Sequence, residues 1–196
     1  MNSTDADDMG LETDSAETAA VINLPDNANY LLDTDSSTLK WAASKIVSNF
    51  HEGTADIQSG NLIRENGVFT SGEYVIDITT LVDVESNQAL IGHLKSADFF
   101  NIEMYPTSMF KITNIEKMDE NYEVTGDLTI KDVTNEISFN ADLSQKDGNL
   151  NIGASFEIDR TKWGLDYLSG SLLEQLGEKA IKDQVYFELD LVFVEQ

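Results

Sequence analysis

The residues of this chain most able to do chemistry near neutral pH are its two histidines, His51 and His93. Imidazoles from distant parts of a chain can share a metal ion, and a single imidazole can act as a general base on a bound molecule. Each can equally be a hydrogen-bonded structural residue, and no nucleophile or metal-binding motif accompanies either one. We therefore expect no metal site and no catalytic residue, and we keep both as candidate contacts to a ligand's polar head group.

Three basic side chains are further candidates for such contacts. Arg160 and Lys162 follow Asp159 in one short cluster, and Lys95 lies close to His93 in the sequence. Arg and Lys pair readily with phosphate groups. In an acidic chain a salt bridge or a role in closing the barrel is the alternative for the cluster of Arg160 and Lys162.

Composition excludes several classes of partner. The chain has 36 acidic and 12 basic residues and a formal charge of −24, which repels nucleic acid and anionic membrane surfaces. It has no cysteine, hence no disulfide and no sulfur-based metal site. No apolar run approaches the roughly 18 residues of a transmembrane helix. We expect no nucleic-acid binding and no transmembrane segment.

The first 28 residues differ from the rest. Seven of the acids and none of the bases fall in this segment, among Ser, Thr and Ala residues that cannot bury enough apolar surface to offset the entropy of ordering. We predict a disordered acidic tail or tether over residues 1–28 and one domain over residues 29–196.

Within that domain, apolar and polar residues alternate, which is typical of antiparallel strands with one buried face. The pairs Asn66-Gly67 and Asp147-Gly148 suit the positive φ angles of tight hairpins. The pattern predicts eight strands, near residues 38–50, 51–64, 67–83, 106–118, 120–131, 133–145, 148–159 and 183–195.

Eight sequential antiparallel strands favour an all-β, up-and-down barrel of the lipocalin-like type, because closure removes exposed strand edges. Two short helices are predicted in the connections. One contains Leu90 and Leu94 with Asn87 as its cap, and the other begins at a Ser171 to Glu174 capping box. The first helix and the apolar residues after it are expected to plug one end of the barrel.

A barrel of this size is either filled by its own side chains or leaves a cavity for one small ligand. Side-chain bulk and strand phase select eight candidate lining residues, although a one-residue error of phase would turn a strand's set outward. They are Trp41, Phe69, Ile76, Phe110, Ile112, Phe139, Phe156 and Trp163.

Several short motifs occur in an order and spacing that together are more specific than any one of them alone. They are STLKW at 37–41, HEGT at 51–54, HLKSADFF at 93–100, VTGDLTIK at 124–131 and DRTKWG at 159–164. On these motifs the chain resembles the YceI-like family of lipocalin-like, polyisoprenoid-binding proteins, over most of Leu32 to Val194. Asp132 stands where the family usually has Gly, which leaves the geometry of that loop open.

The resemblance implies an elongated apolar cavity that holds a long isoprenoid lipid, such as a polyprenyl quinone, prenol or polyprenyl phosphate, and carries or sequesters it without catalysis. No cofactor other than this lipid is implied, and a homodimer is common in the family. The negative charge favours a neutral head group unless Arg160, Lys162 or Lys95 converge at the mouth. The alternatives are an enzyme acting on a lipid head group through His51 or His93, and a dry structural or interaction barrel.

The resemblance also implies a bacterial periplasm or cell envelope. The acidic segment is similar to the tether that follows the lipidated cysteine of bacterial lipoproteins, and that cysteine is absent from this sequence. We expect an envelope protein, with a lipoprotein anchor as a hypothesis.

Overall fold

The structure is a computed structural model that describes residues 22–45, 50–169 and 180–196. In these ranges nine strands form one antiparallel sheet that closes on itself. Most of the predicted tail and the predicted helix after Ser171 lie outside the described residues. The strands are β1 (Ala28–Leu32), β2 (Thr38–Ser44), β3 (Phe50–Glu65), β4 (Val68–Asp83), β5 (Thr107–Lys117), β6 (Tyr122–Ile130), β7 (Val133–Lys146), β8 (Asn149–Asp159) and β9 (Gln184–Glu195).

The nine strands occupy eight positions around the barrel. Both β1 and β2 pair with β3 on one side and with β9 on the other, so they are two segments of the same barrel strand. Every other strand pairs with its sequence neighbours, and β3 to β4 completes the ring. The predicted eight-stranded up-and-down barrel is confirmed.

The sequence pattern does not predict β1. The first predicted strand, 38–50, corresponds to β2, which ends earlier, at Ser44. The break between β1 and β2 has a local cause. Oδ1 of Asp33 accepts hydrogen bonds from the backbone N–H groups of Asp35 and Ser36, which turns the chain out of the ladder. The hydroxyl of Ser37 then accepts the N–H of Val192, so the adjacent β9 keeps a partner at the break.

The described end of the predicted tail contacts the barrel. The guanidinium of Arg64 donates to the carbonyls of Leu24 and Pro25, and Leu24 packs against the core. The N–H of Asn66 donates to Oδ1 of Asn27. Residues 24–27 are therefore part of the folded domain.

Two tight connections confirm the predicted hairpins. Asn66-Gly67 and Asp147-Gly148 both have positive φ, as the predicted turns require. The turn from β6 to β7 uses Lys131 at φ 51° and Asp132 at φ 59°, so Asp132 takes the left-handed conformation for which glycine is usual.

The two ends of the barrel differ. The end that holds the turns at 66–67, 119–121 and 147–148 is the hairpin end, and the opposite end, which holds the longer connections as well as the turn at 131–132, is the helical end. There α1 (Gln88–Lys95) begins at Asn87, whose side chain accepts the N–H of Leu90 at 3.1 Å, as predicted. A 3-10 helix, Arg160–Trp163, follows β8 and was not predicted.

Candidate ligand-binding cavity

A hollow of about 420 Å³ occupies the helical half of the barrel. This volume falls in the range of small-molecule sites, about 300 to 1,000 Å³. Its wall is mostly aliphatic and aromatic because the inner positions of successive strands alternate with the outer polar ones. Apolar side chains on the walls include Leu39, Trp41, Ile76, Ile78, Leu81, Phe110, Leu128, Ile130, Phe156, Ile158, Phe187 and Leu189.

A layer of aromatic rings forms the floor of this cavity. Tyr74 lies 5.3 Å from Phe110, and Phe110 lies 5.5 Å from Phe139. Phe139 stacks on Phe156 at 4.3 Å with only 11° between the rings, and Phe156 lies 5.7 Å from Phe187. The layer thus crosses the barrel through five strands.

Beyond this layer, the hairpin half of the barrel is packed. It contains a hollow of only about 30 Å³, lined by aliphatic and aromatic residues. Tyr74, Phe110 and Leu189 line both this hollow and the cavity, so they separate the two spaces. A chain that extended beyond the floor would have to displace these side chains.

The helical end is covered by apolar groups from one connection. Leu90 and Leu94 of α1 line the cavity, together with Phe99 and Phe100 from the segment that follows. The Phe99 and Phe100 rings meet edge to face at 5.1 Å. These residues form the plug that the sequence predicts at one end of the barrel.

The structure separates the predicted lining residues into three groups. Four of them, Trp41, Ile76, Phe110 and Phe156, line the cavity. Phe69, Ile112 and Phe139 line only the small hollow, because they point inward from the hairpin half.

Trp163 lines neither space. It is 1% exposed, and its indole N–H donates to the carbonyl of Leu128 at 2.9 Å. The prediction of Trp163 as a lining residue is therefore wrong: Trp163 lies on the 3-10 helix, where strand phase does not apply, and it anchors that helix to β6.

Among the head-group candidates, His51 lines the cavity. Its Nδ1 lies 3.3 Å from Oδ2 of Asp83, whose side chain is completely buried. Neither of these two atoms has a hydrogen bond, so the contact is an electrostatic one of imperfect geometry. Oδ1 of Asp83 accepts the N–H of Asn87 and thereby ties this pair to the start of α1.

Arg160 also lines the cavity, but its guanidinium is occupied by the protein. Its N–H groups donate to the carbonyls of Leu165, Ile181 and Lys182. Its Nη2 is 3.5 Å from a carboxylate oxygen of Asp183. Arg160 is therefore a buried tie between the segments that follow β8 and precede β9.

The environment of Arg160 has opposing electrostatic effects. Burial lowers the pKa of its guanidinium, while the nearby carboxylates of Asp183, Asp166 and Asp159 act in the opposite direction. The guanidinium stays charged because an arginine pKa begins far above neutrality.

The remaining three head-group candidates are not cavity-lining residues. Lys162 is exposed and its carbonyl accepts a bond from Asn135, while Lys95 is half-buried at the end of α1. His93 packs on Tyr167 with ring centroids 4.3 Å apart, and its Nε2 is buried without a hydrogen bond. Lys95, Lys162 and Arg160 thus do not converge as free cations at the cavity.

Comparison with known proteins agrees with this architecture. The family profile described as YceI-like domain matches residues 30–193. The chain belongs to the YceI-like domain family. This YceI-like domain is 27% identical over 117 residues to a UPF0312 protein of Pseudomonas putida, in an alignment that covers 58% of this chain and 61% of that protein.

Two solved structures are similar to this YceI-like domain in fold. BcnA of Burkholderia cenocepacia matches with a TM-score of 0.67 and 19% identity, covering 82% of this chain and 98% of that one. A polyisoprenoid-binding domain from Saccharophagus degradans, implicated in plant cell wall breakdown, matches with a TM-score of 0.64 and 14% identity, covering 87% and 99%.

Some cavity residues of this YceI-like domain escaped the sequence reading. Tyr74 belongs to the same alternating file as Ile76, so strand phase could have identified it. Lys45 and Ser108 also line the cavity. No sequence signal marked Lys45, because it lies just beyond the end of β2, where alternation stops.

Two classes of feature are absent from the described part of this YceI-like domain. No group of three or more His, Asp or Glu side chains there could hold a metal ion. No helix in those same ranges is both long and apolar enough to cross a membrane.

Proposed function

We propose that this YceI-like domain binds an isoprenoid lipid in its barrel and carries or sequesters it without catalysis. The observation that carries the proposal is the cavity of about 420 Å³ inside the barrel, whose wall is mostly apolar. The similarity to a polyisoprenoid-binding domain supports it.

Burial of the lipid chain supplies the affinity in this proposal. Each methylene removed from water contributes about 0.8 kcal/mol, and the ordering of a flexible ligand opposes part of that gain. The aromatic floor bounds the available length. A chain that fits above the floor binds directly, whereas a longer one requires the packed hairpin half to open.

A neutral head group, such as a quinone or prenol, fits the charges around the cavity. Arg160 donates to backbone carbonyls, and His51 is paired with the buried carboxylate of Asp83. Among the described residues of the wall, Lys45 is the remaining cation. A phosphate would lose its hydration without a cluster of free cations to replace it.

The proposed setting is the periplasm or envelope of a bacterium, where a carrier moves a water-insoluble lipid between membranes or proteins. The acidic tether and a lipoprotein anchor belong to this proposal. Membrane fractionation of the native protein tests the anchor, and recovery only in the soluble fraction contradicts it.

The binding test uses two neighbouring alanines on opposite faces of β2. Ala43 lines the cavity, whereas Ala42 alternates with it and does not. Ala43→Phe places a ring in the cavity, and Ala42→Phe adds the same ring to the outer face. After incubation with geranylgeraniol, native mass spectrometry is expected to detect the complex for the unmodified protein and for Ala42→Phe, and to lose it for Ala43→Phe.

Two results contradict the proposal. One is an unmodified protein that takes up neither geranylgeraniol nor a longer polyprenol and carries none after mild extraction. The other is equal uptake by the Ala43→Phe and Ala42→Phe proteins, which would place any bound lipid outside the barrel.

A further inference from the structure

Buried polar atoms without hydrogen bonds are rare in folded proteins and call for an explanation. In the described ranges five side-chain atoms are of this kind, on Tyr30, Trp41, His51, Asp83 and His93. Of these five residues, only Trp41 and His51 line the cavity. The two share one part of its wall.

Strand register places Trp41 and His51 side by side. Trp41 on β2 lies opposite Gly53 on β3, and the next inward position of β2, Ala43, lies opposite His51. Trp41 and His51 are therefore diagonal neighbours on the inner face of one strand pair, at a spacing that large side chains span.

Gly53 provides the space for the indole. A Cβ atom at position 53 would lie 2.8 Å from Cζ2 of Trp41 and 1.8 Å from the carbonyl oxygen of Val82. Cζ2 is bonded to the carbon that carries Nε1. The N–H edge of the indole is thus turned toward β3, the strand of His51.

The other tryptophan of the chain provides a comparison. Trp163 is as deeply buried as Trp41, at 1% and 7% exposure, but its N–H is satisfied by the carbonyl of Leu128. A buried indole N–H is usually bonded, since it is a donor with no acceptor capacity of its own. Of the two indole N–H groups, the one without an acceptor is therefore that of Trp41, in the cavity wall.

We infer that Trp41 Nε1, with His51 beside it, forms a subsite for a neutral oxygen acceptor in the ligand's head group, such as a quinone carbonyl or an alcohol or ether oxygen. The inference rests on the proposed function. It orients the ligand, with the oxygen at the β2–β3 wall and the isoprenoid chain along the rest of the cavity.

The surroundings favour a neutral acceptor over an anion. Asp83 lies behind the imidazole of His51, and its buried carboxylate would repel a phosphate. Both Nε1 of Trp41 and Nδ1 of His51 are shielded from solvent. A ligand oxygen therefore reaches the indole N–H when the ring turns toward the cavity that Trp41 lines.

The test compares three probes with the same chain: geranylgeraniol, its methyl ether, and the hydrocarbon that lacks the oxygen. The ether accepts a hydrogen bond but cannot donate one. We expect the unmodified protein to bind the alcohol and the ether about 3- to 10-fold more tightly than the hydrocarbon, the effect of one net hydrogen bond. Trp41→Phe should lose this preference while it still binds the hydrocarbon, and Trp163→Phe should keep it.

If Trp41→Phe keeps the preference for the alcohol and the ether over the hydrocarbon, the inference is wrong. It is also wrong if the unmodified protein binds all three probes equally, as expected when a water molecule accepts the indole N–H. If the unmodified protein binds none of the probes, the proposed function is wrong as well, so this result can be told apart from failure of the inference alone.

A second measurement needs no variant that might fold poorly. The chain has two tryptophans, so its NMR spectrum holds two indole N–H signals. The Trp41 signal should move downfield with the ether and less with the hydrocarbon, while the Trp163 signal stays in place. Equal shifts of the Trp41 signal with both probes contradict the inference.

Discussion

Gly126 on β6 faces the ring of Phe110 on β5, and a Cβ atom at position 126 would lie 2.5 Å from Cζ of that ring. The same Cβ would lie 2.6 Å from the carbonyl oxygen of Lys111, which a side-chain rotation cannot relieve. The absence of a side chain at Gly126 therefore allows Phe110 to take its place in the aromatic floor.

Gly126→Ala should destabilise the protein by about 1 to 3 kcal/mol, because the added methyl overpacks the core. Gly153→Ala is the matched control, since its Cβ would find no atom nearer than 4.0 Å, and its effect should be neutral or slightly stabilising. Urea denaturation measures both free energies of unfolding. Equal values for the two variants would show that both the Phe110 ring and the β5 backbone at Lys111 give way to the added methyl.

The stack of Phe139 on Phe156 leads to a prediction about ligand length. Phe139 lines the small hollow and Phe156 the cavity, so their contact closes the floor between the two spaces. Phe139→Ala should join the spaces, cost about 3 kcal/mol of stability and raise the affinity for prenols of forty carbons relative to those of twenty. Competition binding with the two prenols measures the ratio.

Phe69→Ala is the control for this change. Phe69 also lines the small hollow but lies against Tyr122, 6.4 Å between ring centroids, and does not line the cavity. It should lose stability without a change in the ratio of affinities. A ratio unaffected by Phe139→Ala as well would mean that the floor does not limit the ligand.

Strand phase was predictable because a strand with one buried face imposes a period of two on its residues. That period correctly placed Trp41, Ile76, Phe110 and Phe156 toward the cavity. It failed for β1, a strand of five residues whose inward positions are the small Ala28 followed by Tyr30 and Leu32, too short a pattern to register as alternation.

Other features depend on contacts that a single strand's pattern does not contain. The division into a packed half and a hollow half arises from rings on five strands that pack together inside the barrel, such as Phe110 on β5 against Phe139 on β7. The engagement of Arg160 likewise depends on carbonyls at positions 165, 181 and 182, brought together by long connections. From its residue type alone, Arg160 is a candidate for a cation that binds a phosphate head group.

Replacement of Arg160 tests its structural role. Arg160→Met should lower the free energy of unfolding by about 2 to 5 kcal/mol, because the buried carbonyls that it bonds are left without donors. It should change the affinity ratio of geranylgeranyl phosphate to geranylgeraniol by less than about twofold, since those N–H groups are already occupied. Lys162→Met, at an exposed position, is the control and should leave both quantities unchanged. A selective loss of phosphate affinity in Arg160→Met would make Arg160 a head-group ligand after all.

The carboxylate of Asp159 links the 3-10 helix to pH. Its Oδ1 accepts the hydroxyl of Thr161 at 2.6 Å and the Thr161 N–H at 3.0 Å, and the hydroxyl bond is the main cause that lowers the pKa of Asp159. A carboxyl with a lowered pKa in the folded state adds stability above its unfolded pKa of about 3.9, and this stability is lost as the pH falls through the lower folded value.

Asp159→Asn keeps an acceptor oxygen but removes the charge. It should be less stable than the unmodified protein by up to about 1 kcal/mol at pH 7, and the difference should shrink as the pH falls below the unfolded pKa of about 3.9. Thr161→Val removes the hydroxyl donor, so it should likewise reduce the stability that the protein gains between low pH and pH 7. Denaturation curves at a series of pH values measure these differences, and a constant gap between the unmodified protein and Asp159→Asn from pH 7 to pH 3 would show that the ionised carboxylate adds nothing to the cap.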